Sequence, residues 1–243
     1  MFAELQARGY VRYESLPLKT KAGAEVQVEF VSNIYDCDGI KVIQCNIRNI
    51  AERKQLEDQM RQLALYDSLT ELPNRRLLHD RLGQTMAASK RWGCHAALMY
   101  VDLDNFKMLN DAHGHAAGDL LLVEAAQRLK SCVRELDTVA RVGGDEFVII
   151  LSDLSADKVK ATTMAEVTAQ KVRIKLTWPY LLTIRHGGKA DAAVEYRCTA
   201  SIGVALFFNH EGSQEDIVGR ADVAMYQAKA AGPNLIRFFE AQA

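Results

Sequence analysis

The stretch Thr138-Val139-Ala140-Arg141-Val142-Gly143-Gly144-Asp145-Glu146-Phe147-Val148-Ile149-Ile150-Leu151 decides the fold. Its apolar, largely β-branched runs flank a glycine pair, which predicts strands over 138–142 and 146–151 joined by a tight hairpin. A type I′ turn demands positive φ at both central positions, and Gly143 and Gly144 supply it without steric cost. Asp145 and Glu146 follow the turn. They read either as solvated flanks or as two hard-oxygen groups suited to magnesium, beside a backbone that a ligand can approach closely.

A second acidic turn lies upstream, Tyr100-Val101-Asp102-Leu103-Asp104-Asn105-Phe106-Lys107. It ends a short apolar run, 96–103, that predicts a buried strand. Asp102 and Asp104 stand two residues apart and therefore share one face of it. Asn74 caps a predicted helix carrying Leu78, Leu82 and Met86, and Leu122, Ala125, Ala126, Leu129 and Val133 mark another after Gly118. A helix over roughly 156–176, a strand over roughly 194–207 and a capped helix from Ser213 to about Lys229, stopped by Gly232, complete the pattern. The order β-α-β-β-α-β is the ferredoxin-like split arrangement, an α+β fold with a mostly antiparallel sheet and flanking helices. In that topology the strand of Asp102 lies beside the hairpin and brings Asp102 near Asp145. Carboxylates at a strand end beside a Gly-Gly turn point to phosphoryl transfer, although strand-end aspartates also serve simply as turn formers.

Between these stretches lies Asn110-Asp111-Ala112-His113-Gly114-His115-Ala116-Ala117-Gly118-Asp119. A carboxylate such as Asp119 can accept from both N1–H and the exocyclic amino group of guanine, and an amide such as Asn110 can bond the other edge atoms. Adenine offers no such donor pair. Asp119 reads equally as a first-turn acid favoured by the helix dipole. His113 and His115 read as packing or capping residues of the loop.

Residues 10–50 predict three antiparallel strands, 10–18, 25–35 and 40–50, with turns at Lys19-Thr20-Lys21-Ala22-Gly23 and Asp36-Cys37-Asp38-Gly39. Three strands without a covering layer make a poor independent domain, so this segment is expected to pack on something else or to continue in an N-terminal portion. A helix over 51–66 carries Leu56, Met60 and Leu63 as a narrow stripe amid charges, the pattern of a two-helix seam.

Composition excludes several classes. The 243 residues hold 30 Lys+Arg against 31 Asp+Glu, so no global charge argues for nucleic acid. The five cysteines are scattered, with no zinc spacing, and fit thiols in a reducing compartment. With no apolar run of membrane-spanning length and no signal-peptide pattern, the chain is expected to be cytoplasmic and without membrane contact of its own. A tether upstream in a longer parent stays open.

Asp67-Ser68-Leu69-Thr70-Glu71-Leu72-Pro73-Asn74-Arg75-Arg76, Asp102-Leu103-Asp104-Asn105-Phe106-Lys107, Asn110-Asp111, Gly114-His115, Gly118-Asp119, Arg141-Val142-Gly143-Gly144-Asp145-Glu146-Phe147, Ser201-Ile202-Gly203-Val204 and the run from Ala221 to Lys229 together resemble the GGDEF diguanylate cyclase family, in order and spacing. The resemblance implies a palm-type core over 67–243 that condenses two GTP into cyclic di-GMP and pyrophosphate. It implies that Asp102, Asp145 and the Leu103 carbonyl hold magnesium, or manganese in its place. Glu146 would assist deprotonation of the ribose 3′-hydroxyl or bind a second metal ion. Asn110 and Asp119 would read guanine, with Lys107, Lys229 and the backbone around Asn105, Phe106 and Lys107 on the phosphates and Gly143 and Gly144 against the nucleotide. A homodimer would carry the reaction, each subunit presenting one GTP, which agrees with the helical seam. Arg134 and Asp137 stand at the spacing of the family's inhibitory product site and imply inhibition by bound cyclic di-GMP. Residues 1–50 resemble the C-terminal part of a PAS/PAC domain, with 51–66 as its signalling helix.

Three features depart from the family pattern. Glu71 stands where glycine is usual, Pro233 replaces an arginine, and 183–197, with His186-Gly187-Gly188, reads as an insertion. The competing reading is a catalytically weak or inactive GGDEF domain that binds GTP or cyclic di-GMP as a receptor. The intact Asp102, Asp145 and Glu146 weigh against it.

Overall fold

The computed structural model describes residues 2–184, 192–209 and 212–240. The chain divides into two compact units, Met1–Ala64 and Leu65–Ala243.

The first unit starts with a short helix the sequence reading did not anticipate, α1 (Phe2–Arg8). Then come β1 (Tyr10–Lys19), β2 (Glu25–Cys37) and β3 (Ile40–Asn49), a three-stranded antiparallel sheet in sequential order. Leu5, Val11, Val28 and Ile50 are its buried apolar residues, whereas β3 is exposed along its whole length. Helix α2 (Ala51–Leu65) follows and buries no residue; Leu56, Met60 and Leu63 all stand exposed on it.

The second unit runs α3 (Arg75–Trp92), β4 (Ala96–Asp104), α4 (Phe106–His113), α5 (His115–Lys130), β5 (Thr138–Gly143), β6 (Glu146–Leu151), α6 (Lys158–Leu176), β7 (Tyr180–Ile184), β8 (Ala192–Tyr196), β9 (Thr199–Phe207), α7 (Gln214–Ala231) and β10 (Ile236–Phe238). Its main sheet has the order β10-β9-β4-β6-β5. All pairings are antiparallel except β10 with β9. Taken without β10, this is the expected ferredoxin-like arrangement, with β4 in the middle. Every residue of β4 is buried because helices cover both faces. Leu121, Leu122 and Leu129 of α5 and Val172 and Leu176 of α6 close one face against Met99, Val101, Phe147 and Ile149. Leu78, Leu82 and Met86 of α3 and Ile217, Ala221 and Met225 of α7 close the other against Leu98, Tyr100 and Val148. Complete burial of one such side chain, Phe147 for instance, contributes about 1.5–3 kcal/mol.

The helix ends follow local chemistry. Asn74 caps α3 by accepting from the N–H groups of Arg76 and Leu77, and Ser213 and Asp216 form a reciprocal capping box on α7. Gly203 has a different task. A Cβ there would lie 2.0 Å from the Ala221 carbonyl and 2.1 Å from the Met225 nitrogen, so only glycine lets the backbone of α7 sit directly on β9.

Three expectations need correction. The hairpin turn consists of Gly144 and Asp145, with only Gly144 at positive φ, 45°, while Gly143 belongs to β5 and pairs with Glu146. An irregularity between Arg141 and Gly143 accommodates one extra residue in β5 and shifts the turn along by one. The helix expected after Gly118 starts at His115, and the separate helix α4 precedes it. The strand expected over roughly 194–207 is two strands, β8 and β9. Within 183–197, β7 ends at Ile184 and β8 covers Ala192–Tyr196, and the two strands pair antiparallel. His186, Gly187 and Gly188 lie outside the described residues. All five cysteines are free thiols, and no helix among the described residues is long and apolar enough to cross a membrane.

Candidate active site

The register of the main sheet gathers the acidic residues at one end. Asp102 of β4 stands opposite Glu146 of β6 and opposite Ser201 of β9. The Leu103 N–H donates to the Asp145 carbonyl at 3.2 Å, which ties the turn of the hairpin to the end of β4. Asp102 and Asp145 are therefore brought together as expected.

Asp102 is 6% exposed, and its Oδ1 accepts from Lys229 Nζ of α7 at 2.7 Å. Burial pushes its carboxyl above the usual range; Lys229 pulls it back, and the charges of Asp145 and Asp104 add to the rise. Partial burial alone would lower the Lys229 ammonium, but Asp102 above all, then Asp145 and Asp104, outweigh it and hold it above its ordinary value. Negative charge thus exceeds what one lysine neutralises.

Asp104 shares the face of Asp102, yet its oxygens are taken. Oδ1 accepts from Ser201 Oγ at 2.7 Å, and Oδ2 from Thr199 Oγ1 at 2.6 Å and the Asn234 N–H at 2.9 Å. It locks the ends of β4, β9 and the segment after α7 together. Glu146 Oε2 accepts from the Tyr100 hydroxyl of β4 at 3.0 Å. Burial and the Glu146 charge hold that phenol far above its ordinary range.

Asp102 and Asp145 are the carboxylates at this end that could hold a cation. Among the described residues no three His, Cys, Asp or Glu side chains form a ready cage. Magnesium characteristically takes one or two carboxylates and completes its shell with water and substrate phosphates, so Asp102 and Asp145, with the Leu103 carbonyl, are the groups that could hold one.

Beyond the end of β4, Asn105 takes a left-handed conformation, φ 60°, at the start of α4, and its carbonyl accepts from the Tyr196 hydroxyl of β8 at 3.3 Å. Phe106 is half-buried and Lys107 exposed. Asn110 presses its Oδ1 onto Gly118, where a Cβ would come within 2.0 Å of it; that oxygen is buried without a hydrogen-bond partner. Asp119 is exposed on the next residue of α5. It is the fifth residue of that helix and outside its first turn, so the dipole reading of Asp119 does not hold. Asn110 and the Asp119 turn are thus neighbours.

Two residues sequence reasoning left unassigned hold the hairpin. Arg141 donates to both oxygens of Asp67 at 3.0 and 3.2 Å and, through Nε and Nη2, to the Gly144 carbonyl at 3.0 and 2.8 Å. Arg134 and Asp137 lie elsewhere, lining a hollow of about 390 Å³ with Tyr66, Arg81 and Lys130. The Asp137 carboxylate accepts from the N–H groups of Arg134 and Ser152, so it shapes the loop and leaves the Arg134 side chain exposed.

Sheet order and strand-end carboxylates define an α+β ferredoxin-like domain with an acidic site at the end of its central strand. Residues 64–235 match the family described as diguanylate cyclase, GGDEF domain, and the chain belongs to that family. It is 44% identical over 179 residues to the bifunctional diguanylate cyclase/cyclic di-GMP phosphodiesterase MucR of Pseudomonas aeruginosa, covering 74% of this chain and 24% of MucR. It is 31% identical over 220 residues to the diguanylate cyclase DgcM of Escherichia coli, covering 90% of this chain and 49% of DgcM. Among solved structures, the coiled coil and GGDEF domain of DgcB from Caulobacter crescentus, in complex with c-di-GMP, superimposes with a TM-score of 0.65 at 27% identity, over 78% of this chain and 93% of that one. The chain thus spans about a quarter of MucR and about half of DgcM.

Proposed function

We propose that the chain is a diguanylate cyclase that condenses two GTP molecules into cyclic di-GMP and two pyrophosphates. The observation that carries this reading is the strand-end site itself: Asp102 paired with Lys229 and tied to the Asp145 turn, within a GGDEF fold. Asp102, Asp145 and the Leu103 carbonyl would hold magnesium, which when bound would neutralise triphosphate charge as a Lewis acid. The chain's own groups do the rest. Asn110 and Asp119 select guanine, whose N1–H and amino group match a carboxylate. The backbone around Asn105–Lys107 and the Lys107 and Lys229 ammonium groups hold phosphate oxygens. Gly143 and Gly144 keep the hairpin open to the nucleotide.

Glu146 accepts the proton of a ribose 3′-hydroxyl. That oxygen bonds to the α-phosphorus of the other GTP while the bond from α-phosphorus to the pyrophosphate oxygen breaks. The reaction runs twice, so two subunits must meet face to face, each with one GTP. The exposed Leu56–Met60–Leu63 stripe of α2 suits the pairing, and rate should rise with more than the first power of protein concentration. We read residues 1–50 as the C-terminal part of a PAS/PAC domain. We also read the hollow at Arg134 as a product site where the guanidinium bonds guanine O6 and N7. Arg134→Ala should raise the cyclic di-GMP concentration needed for half-inhibition at least about tenfold, one lost bidentate pair.

The decisive experiment incubates purified protein with GTP and magnesium and separates the products. Cyclic di-GMP with two pyrophosphates per molecule supports the cyclase. Bound GTP without product at high protein concentration defeats it and establishes the receptor reading.

A further inference from the structure

We propose that Tyr100 is a positioning residue for the reaction, its buried hydroxyl fixing the Glu146 carboxylate where it meets the attacking ribose hydroxyl. The inference rests on the cyclase reading above and deepens it. Directly opposed residues of antiparallel strands project from one face, so the register sets Asp102 and Glu146 side by side. Two facing carboxylates repel, and each would swing away if nothing held it. Two donors from different elements part them. Lys229 draws Asp102 toward α7 at 2.7 Å, and Tyr100 draws Glu146 back along the sheet at 3.0 Å.

Tyr100 precedes Asp102 by two residues on the same strand and therefore shares its face. It is 7% exposed and packs in the core with Leu98, Val148, Ala221 and Met225, which fixes its ring and aims its hydroxyl. A lysine in that place would cancel the carboxylate's charge, whereas a phenol holds it and leaves the charge intact. Only Oε2 of Glu146 is engaged by Tyr100, which leaves Oε1 for the substrate hydroxyl. Packing alone would be met equally by phenylalanine, so the hydroxyl is the informative atom.

The test combines Tyr100→Phe, Glu146→Gln and the double variant, measuring kcat and KM for GTP. Tyr100→Phe should lower kcat by about ten- to a hundredfold, the usual effect of a misplaced catalytic group, with KM within about twofold. In the Glu146→Gln background it should change residual turnover by less than about twofold, since groups acting as a unit are non-additive. Unchanged kcat, an effect on KM alone, or the full effect in the Glu146→Gln background overturns the proposal. A second cycle, Tyr100→Phe with Glu146→Ala in urea unfolding, reads the contact without activity; additive effects there overturn it as well. Wild-type protein that binds GTP and makes no product defeats the cyclase reading and the catalytic role together, while the unfolding cycle still decides the contact.

Discussion

Lys229 Nζ lies 2.7 Å from Asp102 Oδ1, so the last helix of the domain reaches back to the end of its central strand. Gly203 makes that approach possible by admitting the backbone of α7 onto β9. The lysine is half-exposed and the aspartate buried, so the lysine is the solvent-facing member of the pair. Removing the ammonium with Lys229→Met should cut turnover by on the order of a hundredfold, the scale of one electrostatic contact to developing charge. Pyrophosphate release measures it, and a variant within about threefold of wild type removes Lys229 from the site.

Gly118→Ala decides whether Asn110 is seated as described. In a helix interior alanine is ordinarily better than glycine by about 1 kcal/mol. Here the new methyl would overlap the Asn110 oxygen at 2.0 Å. The methyl must displace the Asn110 side-chain tip, so the readout is the ligand: GTP binding should weaken about tenfold or more whatever the small change in the urea midpoint. Unchanged GTP binding contradicts the seating of Asn110 against Gly118.

Glu71 occupies a backbone conformation with φ 56°, where a side chain is strained. Glycine at that position relieves the strain without touching a neighbour, because Glu71 is exposed. Glu71→Gly should stabilise the domain by about 1 kcal/mol, measured by urea unfolding. The strained position lies in the turn that Asp67 organises, where the Glu71 N–H donates to the Asp67 carbonyl.

That turn also predicts an acid dependence. Partial burial pushes the Asp67 carboxyl up, but the Thr70 hydroxyl and N–H and the Arg141 guanidinium outweigh it and hold it below the usual carboxylate range. A carboxyl depressed in the folded state contributes its stability above the unfolded value, about 4, and loses it as pH falls through the lower folded value. The stability gap between wild type and Asp67→Asn should be full at about pH 6 and shrink in acid below about 4. A gap that persists unchanged into strong acid contradicts the pairing.

Much of this was legible in the sequence because it rests on local rules. The nine buried positions of β4, the Asn74 and Ser213 caps and the two hairpin strands each follow from periodicity or capping chemistry within a few residues. The βαββαβ order then placed Asp102 beside the hairpin. What stayed hidden depended on contacts distant in sequence. Tyr100 reads as one more apolar strand residue, and only the register of β4 against β6 brings its hydroxyl to Glu146. Asp104 looks like a twin of Asp102 until Thr199, Ser201 and Asn234, about a hundred residues away, occupy its oxygens. The Gly-Gly pair misled for a related reason: an irregularity in β5 moved the turn onto Asp145, which neither glycine announces.

Asp145 is consequently a turn residue at the acidic site itself, and the central claim depends on it. The most direct measurement is the rate of cyclic di-GMP formation by Asp145→Ala beside wild type, at saturating GTP and magnesium and with matched folding checked by circular dichroism. The account predicts product from wild type and no detectable product from the variant. An unchanged rate would show that Asp145 takes no part in the chemistry and that the site has been placed wrongly.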